Sequence, residues 1–169
     1  MPTYGSSVTE YSALLKSPKF EKSMLSMTYK DGDLIGNFEA WNILYAWIAV
    51  VVFLFSAVLV ILVGLAHLLI GFVITVIIVA IIEIIIMVAF AHLGWFCIVK
   101  NDSGCGKVGY AIWGLWYFWV PFATLFSAGF NAAYLPNLIL CVPAGYMAVI
   151  CFKLFMNPPA GQARDNILG

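Results

Sequence analysis

The sequence predicts an all-α protein, an integral membrane four-helix bundle with N- and C-termini both cytosolic. Three observations carry that expectation. The 169 residues are 64% hydrophobic and only 9% charged, with a mean hydropathy of +1.02, whereas a soluble domain carries about 25% charged residues. Four apolar runs reach the length of about 20 residues that a membrane helix needs. All eight basic residues fall on one side of those four runs.

The amino-terminal segment, residues 1–40, is expected to be cytosolic. No early apolar stretch follows a basic start, so no cleavable signal peptide is predicted. Met1-Pro2 does not fit the Met-Gly start of a myristoylated chain. Ser17-Pro18 resembles an N-cap followed by proline at the first helical position. Phe20, Met24 and Met27 then share one helical face, with Lys19 and Lys22 off it. That pattern predicts a short amphipathic helix on the inner membrane surface, with docking to a partner as the alternative. Asp31-Gly32-Asp33 and Gly36-Asn37 predict a turn-rich connector to the first span.

The spans are expected at about 41–63, 68–96, 109–130 and 134–156. The second is longer than a bilayer needs, so it tilts or projects. Short gaps make tight hairpins of spans one and two and of spans three and four. Lys16, Lys19, Lys22 and Lys30 precede the first span. Lys100 and Lys107 separate the second from the third, and Lys153 and Arg164 lie at or beyond the end of the fourth. The positive-inside rule then puts both termini in the cytosol. Trp41, Trp47, Trp95, Trp113, Trp116 and Trp119 lie in the inner half and read as an interfacial belt. Residues 157–169 form a short cytosolic tail. A net charge of zero argues against nucleic-acid binding.

Glu83 is the foremost candidate site. It is the only charged residue between Glu39 and Lys100. A carboxylate at membrane depth costs roughly 2.5–3.5 kcal/mol on insertion scales, so it marks a functional site by default. Its helical neighbours Val76, Val79, Ala80, Ile86, Met87 and Phe90 cannot donate a hydrogen bond. Its partner therefore comes from another span or another subunit. Depth matching nominates Tyr117 and Thr124 on span three and Tyr146 on span four. One reading is a cation site or selectivity ring where several Glu83 side chains meet in an oligomer. The other is a hydrogen-bonded acid that fixes helix packing.

Other residues carry weaker signals. His67 and His92 are 25 residues apart on opposite membrane faces and cannot share a metal. Cys97, Cys105, Cys141 and Cys151 form no CxxC pair, so no metal site is expected. Juxtamembrane Cys97 and Cys151 are possible palmitoylation sites, against ordinary packed thiols. Ser103-Gly104-Cys105-Gly106-Lys107 fails the phosphate-loop pattern, because Asn101 stands at the first glycine position and Val108 follows the lysine. Gly71 and Thr75, Ala123 and Ser127, and Ala144 and Ala148 have the small-xxx-small spacing of helix-packing faces. Pro121, Pro136 and Pro143 break the backbone ladder inside the spans, and the freed carbonyls need partners within the protein. No catalytic constellation and no cofactor motif occurs, so an enzyme is not expected.

The layout, with a glutamate in span two within Gly71-Phe72 … Ile81-Ile82-Glu83-Ile84, resembles the Flower family and its small fungal Golgi relatives, the COPI-associated membrane proteins. The resemblance covers roughly residues 40–156. It implies a vesicle or Golgi membrane protein in which Glu83 lines a calcium-permeable path in an oligomer. The topology is also similar to that of four-span vesicle proteins of the MARVEL type. Two functional classes follow. One is a trafficking or channel-like protein whose Glu83 handles a cation. The other is a non-catalytic accessory or scaffold subunit of a larger membrane complex. The expected partners are the lipid bilayer and either further copies of the chain or other membrane subunits. Golgi, vesicle, plasma and organellar membranes all fit the topology.

Overall fold

The structure, a computed structural model, describes residues 4–16, 34–66, 70–100, 106–130 and 132–159. All of them are helical except Lys16 and residues 157–159. The elements are α1 (Tyr4–Leu15), α2 (Leu34–Ala66), α3 (Ile70–Trp95), α4 (Gly106–Phe130) and α5 (Cys141–Met156). A π-helical turn, Phe96–Lys100, extends α3, and a 3₁₀ segment, Ala132–Leu140, leads into α5. Among the described residues three helices are long and apolar enough to cross a membrane: Leu34–Leu65, Ile70–Lys100 and Leu135–Met156. The fourth, α4, has 25 residues, but Trp113, Trp116, Tyr117, Trp119 and Pro121 make it less apolar.

The element boundaries correct the sequence reading in three places. The helix of span one begins at Leu34 rather than residue 41. Gly36-Asn37 is thus a helical turn and not a connector, and the buried side chains of Asn37 and Phe38 hold it there. Span four is not one α-helix. Pro136 and Pro143 have no N–H to give to the carbonyls four residues back, and their rings crowd those carbonyls. The chain meets this with tighter 3₁₀ geometry up to Leu140. The amino-terminal segment holds a helix that the reading missed, α1, whereas the expected helix around residues 18–27 lies outside the described residues.

The helices pack as two hairpins, α2 with α3 and α4 with α5, joined mainly by α2 against α5 and the 3₁₀ segment. The outer hairpin is close: a methyl on Gly64 would stand 3.0 Å from Phe72 and from Val73. Burial concentrates at the opposite, basic end, which carries Lys100, Lys107 and Lys153. Phe38, Tyr45, Trp95, Ile98, Tyr110, Tyr117, Met147 and Leu154 are buried there. Among the described residues, the half of α3 that follows Ile70 packs mainly on α2, and Ile74, Ile77, Ile78, Ile81 and Ile82 are exposed. An isoleucine face of this kind is stable against lipid tails and not against water.

The tryptophans divide between two roles. Trp47 and Trp119 are exposed, as a belt requires, but Trp95 and Trp113 are buried in the core. A bulky ring with one N–H fills space at a crowded helix junction when that N–H finds an acceptor. Helix α2 runs about 50 Å at 1.5 Å per residue, against a hydrocarbon core of about 30 Å.

Candidate functional site

Glu83 lies about 20 Å along α3 from Ile70, by helical rise, inside one of the helices long and apolar enough to cross a membrane. It lines a groove of about 230 Å³ between α2 and α3. Small side chains open this space. Ala57 and Ala80 line it together with the larger Phe53, Val60 and Phe72. Two hydroxyls share the groove with the acid, those of Ser56 and Thr75. Ser56 donates to Asn137 Oδ1 at 3.2 Å, tying α2 to the 3₁₀ segment. Thr75 donates to its own Gly71 carbonyl at 3.0 Å. Each hydroxyl oxygen retains acceptor capacity. Among the described residues, Glu83 has no hydrogen-bond or ion-pair partner.

The partners nominated for Glu83 are elsewhere. Tyr117 is fully buried near the basic end, where it accepts from Asn42. The Thr124 hydroxyl turns back to the Val120 carbonyl at 2.8 Å, as threonines in membrane helices often do. Tyr146 stacks on Trp41, ring centres 4.5 Å apart and nearly parallel. Depth matching placed these residues by distance along the chain, but it carries no information about helix rotation. None of the three joins the groove.

The small-residue pairs also separate. Ala144 and Ala148 are buried and form a true packing face. Gly71 and Thr75 do not pack against another helix of this chain: a methyl on Gly71 would meet nothing within 4 Å, and Thr75 is exposed. Ala123 is half-buried, and the side chain of Ser127 lies outside the described residues. Cys151 is fully buried, and its Cβ would stand 3.2 Å from a methyl on Gly114. It is a packed thiol, which corrects its reading as an acylation site. Cys97 is half-buried on the π turn. His67 and Cys105 lie outside the described residues.

A second polar cluster, unmarked by the sequence reading, joins four helices at the basic end. Asn42 is its hub. Its Oδ1 accepts from the Tyr11 hydroxyl of α1 at 2.8 Å. Its Nδ2 donates to the Ala91 carbonyl of α3 and to Tyr117 Oη of α4, both at 3.0 Å. Close by, Trp95 Nε1 donates to Glu39 at 2.9 Å. Lys100 pairs with Glu10 and lies 5.4 Å from the centre of the Trp95 ring. The ring of Tyr11 rests against His92 and Trp95, at 5.2 and 5.3 Å between centres. Burial pushes the Tyr11 hydroxyl above its ordinary pKa, and the nearby Glu39 carboxylate adds to the push. The available signals were the amide of Asn42 at the mouth of an apolar helix and the three- and four-residue steps between Val8, Tyr11 and Leu15.

Chemically, the Glu83 groove offers one carboxylate and two hydroxyl oxygens. Even with the carboxylate bidentate, that is at most four of the six to eight oxygens a calcium ion takes. No cluster of three or more His, Cys, Asp or Glu occurs among the described residues. In comparison with known proteins, no family model, no curated protein and no solved structure matches the chain.

Proposed function

We propose that this protein is a non-catalytic subunit of a membrane assembly, and that a neighbouring chain completes the groove around Glu83. One observation carries the reading: Glu83 lines an open groove at membrane depth with no partner among the described residues. An acid in hydrocarbon is stable only where it meets a donor, another charge or water. A neighbouring helix that lays a donor against Glu83 supplies this and covers the exposed isoleucines of α3. In this reading α4 also crosses the membrane, as the third of four spans, and the basic end with both termini faces the cytosol. The resemblance to the Flower and COPI-associated proteins favours a vesicle or Golgi membrane.

A second reading has one specific observation in its favour. Ser56, Thr75 and Glu83 present three oxygen-bearing side chains to one groove. Copies of the chain that brought such grooves together would form a cation site, and the resemblance implies a calcium-permeable one. Liposome cation flux, measured for wild type beside Glu83→Gln, separates the two. The subunit reading expects no flux in either protein. It also expects chemical cross-linking to show an assembly that Glu83→Ala weakens. Flux in wild type that is lost in Glu83→Gln overturns it in favour of the cation site.

A further inference from the structure

A second groove, separate from that of Glu83, runs between α1 and α3. Its volume is about 490 Å³, within the range of roughly 300–1,000 Å³ typical of small-molecule sites. Its lining runs along α3 from Ile84 and Ile85 to His92, and along α1 from Leu15 through Ser12 and Tyr11 to Val8. From Ile84 to His92 the α3 wall is about 12 Å long by helical rise. Half of the hydrocarbon core is about 15 Å. The groove thus matches one leaflet in length.

Its polarity runs in the matching direction. The apolar end lies at span depth on α3. The polar end lies beside Trp95 and the Lys100–Glu10 pair, and aromatic and basic side chains of this kind gather at headgroup level. Ile85 is exposed, so the groove is continuous with the face that α3 turns to lipid. A single apolar chain with a polar head, entering from that face, has the shape and polarity the groove asks for.

We propose that the groove between α1 and α3 holds one acyl chain of a bilayer phospholipid, with its headgroup beside Trp95 and Lys100. The chain adds apolar contact between α1 and α3 where their side chains leave space. The docking of α1 then depends on the lipid as well as on the Tyr11–Asn42 bond. The inference does not rest on the role of Glu83.

The test uses the full chain in phosphatidylcholine vesicles doped with a phosphatidylcholine that carries a photoactivatable diazirine in its acyl chain. After irradiation, mass spectrometry maps the labelled peptides. The expected result is stronger labelling at Val88, Ala89 and the Ser12–Leu15 strip than at Phe122 and Phe126, which are exposed on α4. Ala89→Trp, at an exposed position, fills the groove and abolishes the excess while labelling on α4 persists. An unchanged thermal melting curve checks that this variant is folded. Equal labelling of groove and α4 in wild type overturns the proposal, as does an excess that survives both Ala89→Trp and Val88→Trp. Disulfide-linked dimers of Ala89→Cys formed in the membrane also overturn it, because the occupant is then a second copy of the chain.

Discussion

The hydroxyl of Tyr117 occupies the space that a side chain at position 94 would need. A methyl built on Gly94 stands 2.5 Å from Tyr117 Oη and 3.3 Å from the Trp113 ring. Glycine is what lets α3 and α4 meet there, because Tyr117 cannot swing away. Its ring is boxed by Phe38 and Tyr45, each with its ring centre 5.9 Å away, and its oxygen is held by Asn42. Gly94→Ala should therefore destabilise the protein by about 1–3 kcal/mol, the usual cost of overpacking. Tyr117→Phe removes the oxygen that clashes. The double variant should lose less than the two single losses added together, since contacting residues couple. Thermal unfolding in detergent, followed by tryptophan fluorescence, reads all three. Additive losses would mean that the close approach is not what makes residue 94 a glycine.

The Asn42 hub gives a ranking. Asn42→Leu keeps the bulk but strands the Tyr11 hydroxyl and takes one donor each from Tyr117 and from the Ala91 carbonyl. Each buried group left without a partner costs about 1–3 kcal/mol. Tyr11→Phe removes a single bond together with its own donor, and should cost about 1 kcal/mol. The same melting experiment should order the proteins as wild type, then Tyr11→Phe, then Asn42→Leu. If Asn42→Leu is as stable as wild type, the amide is not the joint between the four helices.

Much of this fold was legible because hydropathy and length report directly on lipid. The apolar runs in α2, α3 and α5 and the hairpin between α2 and α3 follow from them. Rotation about each helix axis was not legible. Residues at one depth point in any direction, and so Tyr117, Thr124 and Tyr146 were assigned to Glu83 although they face elsewhere. The helix α1 was hidden for another reason. Among its described side chains only Tyr11 is buried, with Leu14 and Leu15 half-buried, and its stability comes from docking on α2 and α3. The Asn42 hub shows the limit most sharply: an asparagine near a span end looks like any interfacial amide until three partners from three helices arrive around it.

Two acids near α1 should behave differently. Glu10 pairs with Lys100, but both side chains keep substantial solvent exposure. Exposed ion pairs contribute about 0–1 kcal/mol and are screened by salt. Glu10→Gln should therefore change the melting temperature little, and less still in high salt. Glu39 accepts from the indole N–H of Trp95, whose ring is fully buried. Glu39→Ala leaves that N–H unpaired and should cost about 1–3 kcal/mol. Equal losses from the two variants would contradict this assignment.

Alkaline pH provides a probe of α1 that needs no substitution in its test sample. The Tyr11 hydroxyl has a folded-state pKa above its ordinary value of about 10, chiefly because it is buried, and the neutral form is the one that donates to Asn42. A raised pKa means that the folded state holds this proton more tightly than the unfolded state does. The stability it brings is fully present below the unfolded pKa and is lost as pH rises through the folded one. Docking of α1 should thus stay constant from neutral pH to about 10 and weaken only above it. Protease cleavage of the amino-terminal segment in reconstituted vesicles measures the docking, with a protease whose own activity is calibrated at each pH. Tyr11→Phe has no proton to lose at this position, so its cleavage should be faster at neutral pH and rise less steeply in alkali. If wild type and Tyr11→Phe respond identically above pH 10, ionisation of Tyr11 is not what releases the helix.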